Sequence, residues 1–339
     1  MSTFFVAVAA VLGASLVLAA LWAVQRIPRW EWESSTVLIT GGSVGIGLAT
    51  AKSLARKQVP FLILAARREC VLREAVQQVE KVVEECHSCT RVSYVTMDVA
   101  DEVSVATGLA RAKAQCDGRP VNLLICNAGF AHPARFVDST MAHARQMMEV
   151  NYFGSLAVLW KVLPEMLEMK RGRVVLTSSM AARAPIAGYT LYSATKAGLR
   201  AFAHSLDMET SCLGVRVQVV SPPDVETPGY AHENEVKSPE CAAISSFGGA
   251  KPFTAEAMAQ SIVNGIGDYS FDITLGMDGI MLNYGSAGIE PATSVAALLT
   301  QSVLGGVLRL GLAVFSKIHY GIVRKVRLAE ASSAPPSRW

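Results

Sequence analysis

Short runs of β-branched and other apolar residues, separated by longer helical patterns, constrain the fold of this chain more than any other feature. The runs are mostly apolar along their whole length, which is typical of strands buried on both faces. Such strands, when they alternate with helices, form a parallel sheet that is covered by helices on both sides. The sequence therefore predicts an α/β fold. Six strands are visible: TVLIT (36–40), FLILA (61–65), RVSYVTM (91–97), VNLLICNAG (121–129), RVVLTSS (173–179) and RVQVVSPP (216–223).

Helical patterns fill the segments between these strands. The clearest is ECVLREAVQQVEKVVEE (69–85), in which valine, leucine and alanine recur at helical spacing. Further helices are predicted over 47–58, 101–115, 140–168 and 192–212. Because no linker composition interrupts this alternation, we expect one domain over 34–285, a separate segment over 1–33 and another over 286–339.

An uncharged apolar segment, Phe4–Val24, precedes the predicted domain. At 1.5 Å per residue, a helix of this length spans roughly 30 Å, the thickness of the hydrocarbon core of a bilayer. Arg26, Arg29, Trp30 and Trp32 follow it, as expected for an interfacial anchor with its positive flank in the cytosol. No basic residue precedes the segment, and it is longer than the apolar region of a signal peptide. An uncleaved transmembrane helix is therefore favoured over a cleaved signal.

A second apolar stretch covers residues 295–315. It contains Arg309 and the adjacent glycines Gly305 and Gly306, and an arginine near the bilayer centre is costly. A hairpin or an interfacial helix is therefore predicted in preference to a second span. The basic residues expected at the lipid headgroups are Lys317, Arg324, Lys325 and Arg327. The two apolar stretches make the lipid bilayer an expected partner.

Charge and cysteine content exclude other classes of protein. The chain has 31 basic and 28 acidic residues, a net charge of +3, so it lacks the electrostatic footprint of a nucleic-acid-binding protein. Its seven cysteines are odd in number and scattered, which argues against a disulfide framework. The segment CHSC (86–89) has the spacing of a metal or redox site but no second pair, so a surface turn is predicted and no metal is expected.

The first strand leads directly into TGGSVGIG (40–47), which places Gly41, Gly45 and Gly47 between a strand and a helix. A glycine-rich turn in this context lets backbone N–H groups approach a pyrophosphate at a helix N-terminus. The turn therefore predicts dinucleotide binding. The second strand ends in LAARRE, where an acidic residue would bind the ribose of NAD and an arginine would pair with the 2′-phosphate of NADP. Arg67 and Arg68 stand there, so NADP(H) is favoured, with Arg67 as the leading contact.

The stretch GYTLYSATKAG (188–198) puts Tyr192 and Lys196 four residues apart. On a helix these positions share a face, so both side chains could act on one substrate atom. The same spacing also fits an ordinary helical turn with a half-buried aromatic residue and a solvated lysine. The pair therefore needs support from the rest of the chain.

That support comes from a resemblance. TGGSVGIG (40–47), MDV (97–99), CNAG (126–129), VNYFG (150–154), LTSS (176–179) and YSATK (192–196) are similar, in order and spacing, to motifs of the short-chain dehydrogenase/reductase family over roughly residues 35–285. The resemblance implies a Rossmann-type, doubly wound sheet of seven parallel strands, and the arginines after the second strand predict NADPH as the cofactor. The cofactor contacts that it implies are Gly41, Ser43, Gly45, Ile46, Gly47, Arg67, Asp98, Asn127, Gly129, Tyr192, Lys196, Pro222 and Thr227.

Four residues match the catalytic tetrad of that family: Asn151, Ser179, Tyr192 and Lys196. A ketone that gains a hydride develops negative charge on its oxygen, which needs a proton donor at hydrogen-bond distance. Tyrosine is a weak acid with an ordinary pKa of about 10. A nearby lysine cation is expected to lower the pKa of Tyr192. Ser179 would bind the substrate oxygen, Lys196 would also hold the nicotinamide ribose, and by resemblance Asn151 anchors a water that replaces the proton.

The segment SPPDVETPGY (221–230), after the sixth strand, narrows the substrate. It has Pro223 where the family usually has glycine, and Thr227 is placed near the carboxamide of the cofactor. It resembles the branch of the family that reduces the C3 ketone of long-chain sphingoid bases, as do AHENEVKSPE (231–240) and TLGMDGIML (274–282).

The resemblance implies an NADPH-dependent reductase of a long-chain sphingoid ketone, bound to the endoplasmic reticulum membrane with its catalytic domain in the cytosol. Alternatives are a membrane-bound reductase of steroid, retinoid or fatty-acyl carbonyls, or a non-catalytic nucleotide-binding scaffold. The intact tetrad argues against the scaffold. Homo-oligomerisation is left open.

Overall fold

The computed structural model of the chain describes residues 2–25, 27–249 and 251–333, so Arg26 of the expected positive flank lies outside the described residues. The strands are β1 (Thr36–Thr40), β2 (Phe61–Ala66), β3 (Arg91–Thr96), β4 (Leu123–Cys126), β5 (Gly172–Thr177), β6 (Val215–Val220), β7 (Val225–Glu226), β8 (Phe253–Thr254) and β9 (Asp272–Ile273). The helices are α1 (Ser2–Ala23), α2 (Gly45–Ala55), α3 (Glu69–Glu85), α4 (Glu102–Gln115), α5 (Met141–Met148), α6 (Gly154–Glu168), α7 (Thr190–Thr210), α8 (Pro228–Val236), α9 (Pro239–Ser245), α10 (Ala255–Asp268), α11 (Gly276–Gly285) and α12 (Val295–Ser333).

Seven of the strands form one parallel sheet in the order β3-β2-β1-β4-β5-β6-β9. This confirms the Rossmann-type sheet expected from the sequence. The seventh strand, β9, has two residues, and β7 pairs with β8 in a separate small sheet. The strand order reverses between β1 and β4, where Thr40 pairs with Cys126. In open α/β sheets, ligands bind at the carboxyl ends of the strands at this reversal point.

Both faces of the sheet are buried. On β1, Leu38 points to a core shared with α4, α6 and α7, whereas Val37 and Ile39 point to a core shared with α2, α3 and α10. The alternation follows from the period of two residues in a strand. All five residues of β1 are buried, so the central strand is fixed from both sides and its carboxyl end is held firmly in place.

One expectation for the segment before the domain is wrong. Trp30 is 9% exposed and packs in the core of the domain, so it is not available to a membrane interface. Its indole N–H donates to Ser35 Oγ at 2.9 Å, and the guanidinium groups of Arg171 and Arg173 lie over its ring at 4.9 and 5.5 Å. Trp32 packs partly against the same core. The two arginines are far away in sequence, which is why local composition misled the prediction.

The C-terminal segment is one continuous helix, α12, which passes through Gly305 and Gly306 without a turn. Of the two predicted forms, the hairpin is therefore wrong, whereas an apolar helix is present and its interfacial placement stays a prediction. Among the described residues, 295–332 is the one stretch long and apolar enough to cross a membrane. In α1 the described apolar stretch is the shorter Gly13–Ala23, so an N-terminal crossing stays a prediction.

Helix α12 lies on the outside of the domain. Leu308 and Leu312 pack on Gly285 of α11, and many of the other apolar side chains of α12 face outward. Of the basic residues expected at the headgroups, Arg327 instead forms an ion pair with Glu240, with Nε 3.0 Å from Oε1. The other three, Lys317, Arg324 and Lys325, are exposed.

Candidate active site

The glycine-rich turn after β1 has a shape that only glycines allow. Gly41 and Gly45 have φ values of +65° and +54°, and a Cβ at Gly47 would lie 2.3 Å from the carbonyl oxygen of Gly41. Helix α2 begins at Gly45, and its N-cap residue, Val44, supplies no side-chain hydrogen bond. The first N–H groups of α2, next to Ser43 and Ile46, are therefore free to bind an anionic ligand. The turn fits the pyrophosphate of a dinucleotide.

Asn127 joins this turn to the end of β4. Its Nδ2 donates to the carbonyl oxygen of Gly41 at 3.2 Å. Thr40 Oγ1 accepts hydrogen bonds from the backbone N–H groups of Asn127 and Ala128, both at 3.2 Å. The turn and the end of β4 are thus held as one unit at the reversal point of the sheet.

Asn151 lies in a single π-helical turn, Glu149–Phe153, between α5 and α6. Its side chain is fully buried; Oδ1 accepts from the N–H of Phe130 at 2.9 Å. Its Nδ2 donates to the Phe130 carbonyl at 2.9 Å and to Thr195 Oγ1 at 3.1 Å. Because the amide is fully engaged with protein groups, it fixes the segment after β4 against α7. Single π turns of this kind are frequent at functional sites.

Lys196 is 3% exposed, and its ammonium donates to the carbonyl oxygen of Thr177 at 2.8 Å. Gly129 brings it close to Asn151, since a Cβ at Gly129 would lie 3.1 Å from Lys196 Nζ and 3.0 Å from Asn151 Oδ1. Ser178 Oγ donates to the backbone carbonyl of Lys196 at 2.8 Å, which fixes α7 to the end of β5.

Tyr192 and Lys196 lie on the same face of α7, with the ammonium 5.8 Å from the centroid of the tyrosine ring. Ser179 accepts a hydrogen bond from Ala181 N at 3.1 Å, and its hydroxyl acts to lower the pKa of the Tyr192 phenol. The structure therefore brings all four residues of the sequence-predicted tetrad to the carboxyl end of β5, beside the glycine turn.

The ionisation of the pair differs from the expectation. Burial raises the pKa of Tyr192 well above its ordinary value, the charge of Glu233 raises it further, and Ser179 lowers it in part. Burial also lowers the pKa of Lys196 to about 8. The prediction that the lysine cation lowers the pKa of Tyr192 is thus wrong, because desolvation of the tyrosinate is the largest contribution and raises it.

The remaining predicted cofactor residues surround the turn. Thr227 packs against Gly45, where an added Cβ would lie 2.9 Å from its Cγ2, and it caps α8 by accepting from Tyr230 N at 3.1 Å. The carbonyl of Pro222 accepts from Met180 N at 3.1 Å. Thus the segment after β6 lies against both the glycine turn and the residues that follow Ser179.

Two further predicted contacts stand at the ends of β2 and β3. Arg67 follows β2, is exposed and makes no ion pair with another described residue. Asp98 follows β3 and is half-buried, and its Oδ1 accepts from Ala100 N at 3.0 Å. Both lie along the edge that an extended dinucleotide would follow from the glycine turn.

Two residues at the site were missed by sequence reasoning. Glu233, on α8, accepts a hydrogen bond from the hydroxyl of Tyr189 at 2.9 Å, and the ring of Tyr189 lies 5.3 Å from that of Tyr192. The sequence motifs assign no role to either residue, although Tyr189 lies within GYTLYSATKAG and Glu233 within AHENEVKSPE. The one signal was the acidic segment AHENEVKSPE, whose position over the tetrad depends on the tertiary fold.

In the part of the chain that the structure describes, no cysteine thiol forms a hydrogen bond with a residue of the tetrad. All seven are free thiols, and Cys86 and Cys89 lie at the turn after α3, as predicted for the CHSC segment. The described residues contain no group of three or more His, Cys, Asp or Glu side chains that could hold a metal ion.

Comparisons with known proteins agree with this geometry. The family model described as short chain dehydrogenase matches residues 35–238. A 3-ketodihydrosphingosine reductase from Bos taurus is 34% identical over 299 residues, which is 87% of either chain, and a 3-dehydrosphinganine reductase from Danio rerio is 35% identical over 273 residues, 80% of either chain. A solved short chain dehydrogenase/reductase family protein, 25% identical, superposes with a TM-score of 0.60 over 73% of this chain and 96% of its own. The chain therefore belongs to the short chain dehydrogenase family and is an oxidoreductase that uses a nicotinamide cofactor.

Proposed function

We propose that this protein reduces the C3 ketone of 3-ketodihydrosphingosine to the hydroxyl group of dihydrosphingosine, with NADPH as the reductant. The observation that carries this proposal is the assembly of Tyr192, Lys196, Ser179 and Asn151 beside the glycine turn. The names of the relatives that share a third of its residues over most of the chain support the choice of substrate.

Tyr192, Ser179 and Lys196 each have a separate role in the reaction. Because burial raises its pKa, Tyr192 is protonated at neutral pH and can give its proton to the ketone oxygen. Ser179, at the end of β5 beside the same phenol, holds that oxygen in place. Lys196, with a pKa of about 8, is mainly an ammonium at pH 7 and stabilises the tyrosinate left after proton transfer. When bound, NADPH supplies the hydride.

Asn151 acts as a positioning residue in this scheme. Its amide is bonded to Phe130 and Thr195, so it orients the backbone around the tetrad. Any water that replaces the proton would therefore contact the backbone carbonyl of Asn151, which accepts a long bond of 3.5 Å from the Ser155 hydroxyl. In this scheme the water contacts the main chain of Asn151 and not its side chain.

The preference for NADPH is assigned to Arg67. Its exposed guanidinium follows β2 and can pair with the 2′-phosphate, which NADH lacks. Arg67→Ala should raise the KM for NADPH about tenfold and leave the KM for NADH nearly unchanged. Equal changes for the two cofactors would contradict this role, and Arg68→Ala, one residue along, is the matched control.

We further propose that the reductase domain, 34–285, is held at the endoplasmic reticulum membrane by α1 and α12. The exposed apolar residues of α12 support this, since most of their apolar surface is not covered by other described residues. Trp22, near the end of α1, is also 89% exposed. Protease treatment of sealed microsomes should digest the catalytic domain, and a protected domain would contradict its cytosolic orientation.

The substrate is tested by one comparison. The full-length protein in detergent micelles is given NADPH with 3-ketodihydrosphingosine, a steroid ketone or retinal. A kcat/KM that is highest for the sphingoid ketone supports the proposal. A higher value for the steroid or for retinal would favour the alternative reductase, and no turnover with any carbonyl would favour a nucleotide-binding scaffold.

A further inference from the structure

The carboxylate of Glu233 lies near the catalytic tyrosine but takes no part in the proton transfer. Glu233 is half-buried on α8, and its Oε2 accepts the hydroxyl proton of Tyr189 at 2.9 Å. Tyr189 is 6% exposed, and its ring contacts that of Tyr192 with centroids 5.3 Å apart. One hydrogen bond and one ring contact therefore connect the carboxylate to the phenol that donates the proton.

The position is held by the surrounding backbone. Gly188, with φ of +91°, packs against Ser238 and Cys241 at the start of α9, so the loop before α7 and the α8–α9 corner are in close contact. Thr227 fixes the other end of α8 against the glycine turn. Glu233 is thus presented to the site by a helix that is anchored at both ends.

Glu233 has no cation of its own. No lysine or arginine among the described residues forms an ion pair with it. Lys237, the C-cap residue of α8, hydrogen-bonds Ser245 and lies over the ring of Tyr230 at 4.6 Å. Burial raises the pKa of Glu233, and Asp224 raises it further, whereas Tyr189, Lys237 and Lys196 lower it. A half-buried carboxylate of this kind is stabilised when a ligand brings a positive charge.

The sphingoid ketone carries such a charge. Its amino group is on C2, directly beside the C3 ketone, so the ammonium is bonded to the carbon next to the one whose oxygen Tyr192 protonates. Steroid ketones, retinal and fatty-acyl ketones have no cation at this place. We infer that Glu233 binds the C2 ammonium of the substrate and so selects α-amino ketones, an inference that rests on the proposed function.

The same carboxylate acts against ketones without an amine. Negative charge develops on the ketone oxygen during reduction, and an uncompensated Glu233 nearby repels it. With the ammonium bound, the two charges offset each other and the repulsion is removed. Selectivity therefore comes both from an attraction to the correct substrate and from a penalty on the wrong one.

The test compares two substrates that differ only at C2: 3-ketodihydrosphingosine and 1-hydroxyoctadecan-3-one, which lacks the amine. Glu233→Gln keeps an acceptor for Tyr189 but removes the charge. In full-length protein with NADPH, it should lower kcat/KM for the amino ketone about 10- to 100-fold and leave or raise that for the amine-free ketone. The affinity for NADPH, followed by the fluorescence of the bound cofactor, should stay unchanged.

Two matched variants complete the experiment. Glu235→Gln alters an exposed carboxylate on the same helix, paired only with His232, and should preserve the preference. Tyr189→Phe removes the hydrogen bond and keeps the carboxylate, so the preference should survive in it too.

An equal loss of kcat/KM for both substrates in Glu233→Gln would overturn the inference, as would a loss of preference in Tyr189→Phe as large as that in Glu233→Gln. Both results leave the proposed function intact, since wild-type protein would still reduce the amino ketone. A wild-type protein that reduces neither substrate would refute the proposed function itself.

Discussion

The two sides of the active site are built by different means. The cofactor side depends on backbone geometry within short distances: Gly41, Gly45 and Gly47 allow approaches that any Cβ would block, and Asn127 ties the turn to β4. Its contacts involve main-chain atoms and residue types that can be recognised in a sequence. A site of this construction tolerates little change, because a backbone clash cannot be relieved by a rotamer.

The side that we assign to the substrate depends on charged side chains that are distant in sequence. Arg135 donates to both carboxylate oxygens of Glu240 at 2.8 Å and to Glu330 at 2.7 Å, and Arg327 pairs with the same Glu240. These bonds join the loop after β4, α9 and the C-terminal α12. The comparison shows that the tetrad is held by the sheet, whereas the segments on the side that we assign to the lipid substrate are held by an ion-pair network.

The largest effect, a fall in kcat, is expected at Tyr192, where the cofactor side and the substrate side meet. Tyr192→Phe removes the proton donor but keeps the ring that packs on Tyr189. We expect kcat to fall about 10²- to 10⁴-fold while the affinity for NADPH is unchanged. Stopped-flow absorbance of NADPH oxidation in detergent micelles measures the first quantity, and cofactor fluorescence measures the second. Residual turnover near the wild-type rate would exclude Tyr192 as the acid.

The next effect concerns the cofactor side alone. In Gly47→Ala the new methyl group would lie 2.3 Å from the Gly41 carbonyl and 2.8 Å from Asn127 Nδ2, so the turn must open. We expect the affinity for NADPH to fall about 100-fold, the equivalent of roughly 3 kcal/mol. Gly198→Ala is the matched control, because its methyl group would meet only Tyr152 at an ordinary 3.7 Å. Similar NADPH affinities for the two variants would contradict this view of the turn.

This contrast explains which features could be predicted from the sequence. Helix α3 has the predicted bounds Glu69–Glu85, and the first strands lie within a few residues of their predicted positions, because local periodicity reflects burial directly. The glycine turn and the pair on α7 were found because close backbone approach and helical spacing leave a short, local pattern.

The features that were missed depend on contacts between distant segments. The π turn around Asn151 follows from the hydrogen bonds of its amide to Phe130 and Thr195, and no local pattern encodes it. The two glycines in α12 cost only about 1 kcal/mol each, too little to break a long helix. Trp30 is buried by arginines more than a hundred residues away.

A third prediction addresses the substrate side. Glu240→Gln leaves the guanidinium groups of Arg135 and Arg327 without their buried counter-charge, and we expect a loss of about 2–3 kcal/mol in the free energy of unfolding. Because α9 and α12 loosen, the KM for the lipid ketone should rise, while the NADPH affinity should not change. Glu80→Gln, an exposed residue of α3, is the control. A change in NADPH affinity would contradict the separation of the two sides.

The ion pairs of Glu240 also make the stability of the protein depend on pH. Although burial acts to raise it, the hydrogen bond from Arg135 and the nearby arginines hold the pKa of Glu240 below its usual value of 4.5. A carboxyl group with a lowered pKa in the folded state contributes stability above the ordinary pKa and loses it as the pH falls through the lower one. The difference in stability between wild-type protein and Glu240→Gln should therefore shrink below pH 4.5.

The smallest expected effect is a gain in the free energy of unfolding, and it concerns the buried charge of Lys196. Burial lowers the pKa of Lys196 from 10.5 to about 8, so keeping it charged at pH 7 costs the folded state roughly 3 kcal/mol. Lys196→Met removes that cost but leaves the Thr177 carbonyl without its donor, a loss of about 1–2 kcal/mol. The variant should thus be inactive yet about 1–2 kcal/mol more stable than wild-type protein at pH 7.

The pH dependence of that gain follows from proton binding. Below pH 8 both folded and unfolded wild-type protein hold the proton, so the gain is constant. Between pH 8 and 10.5 the unfolded state binds more protons, wild-type stability rises, and the gain from Lys196→Met shrinks. Urea unfolding followed by tryptophan fluorescence at pH 7 and pH 9.5, in one detergent, measures both values. A variant less stable than wild-type protein at both pH values would show that Lys196 stabilises the fold, as Glu240 does. The buried charges of Lys196 and Glu240 would then have the same effect on stability, and the two sides of the site would not differ in this respect.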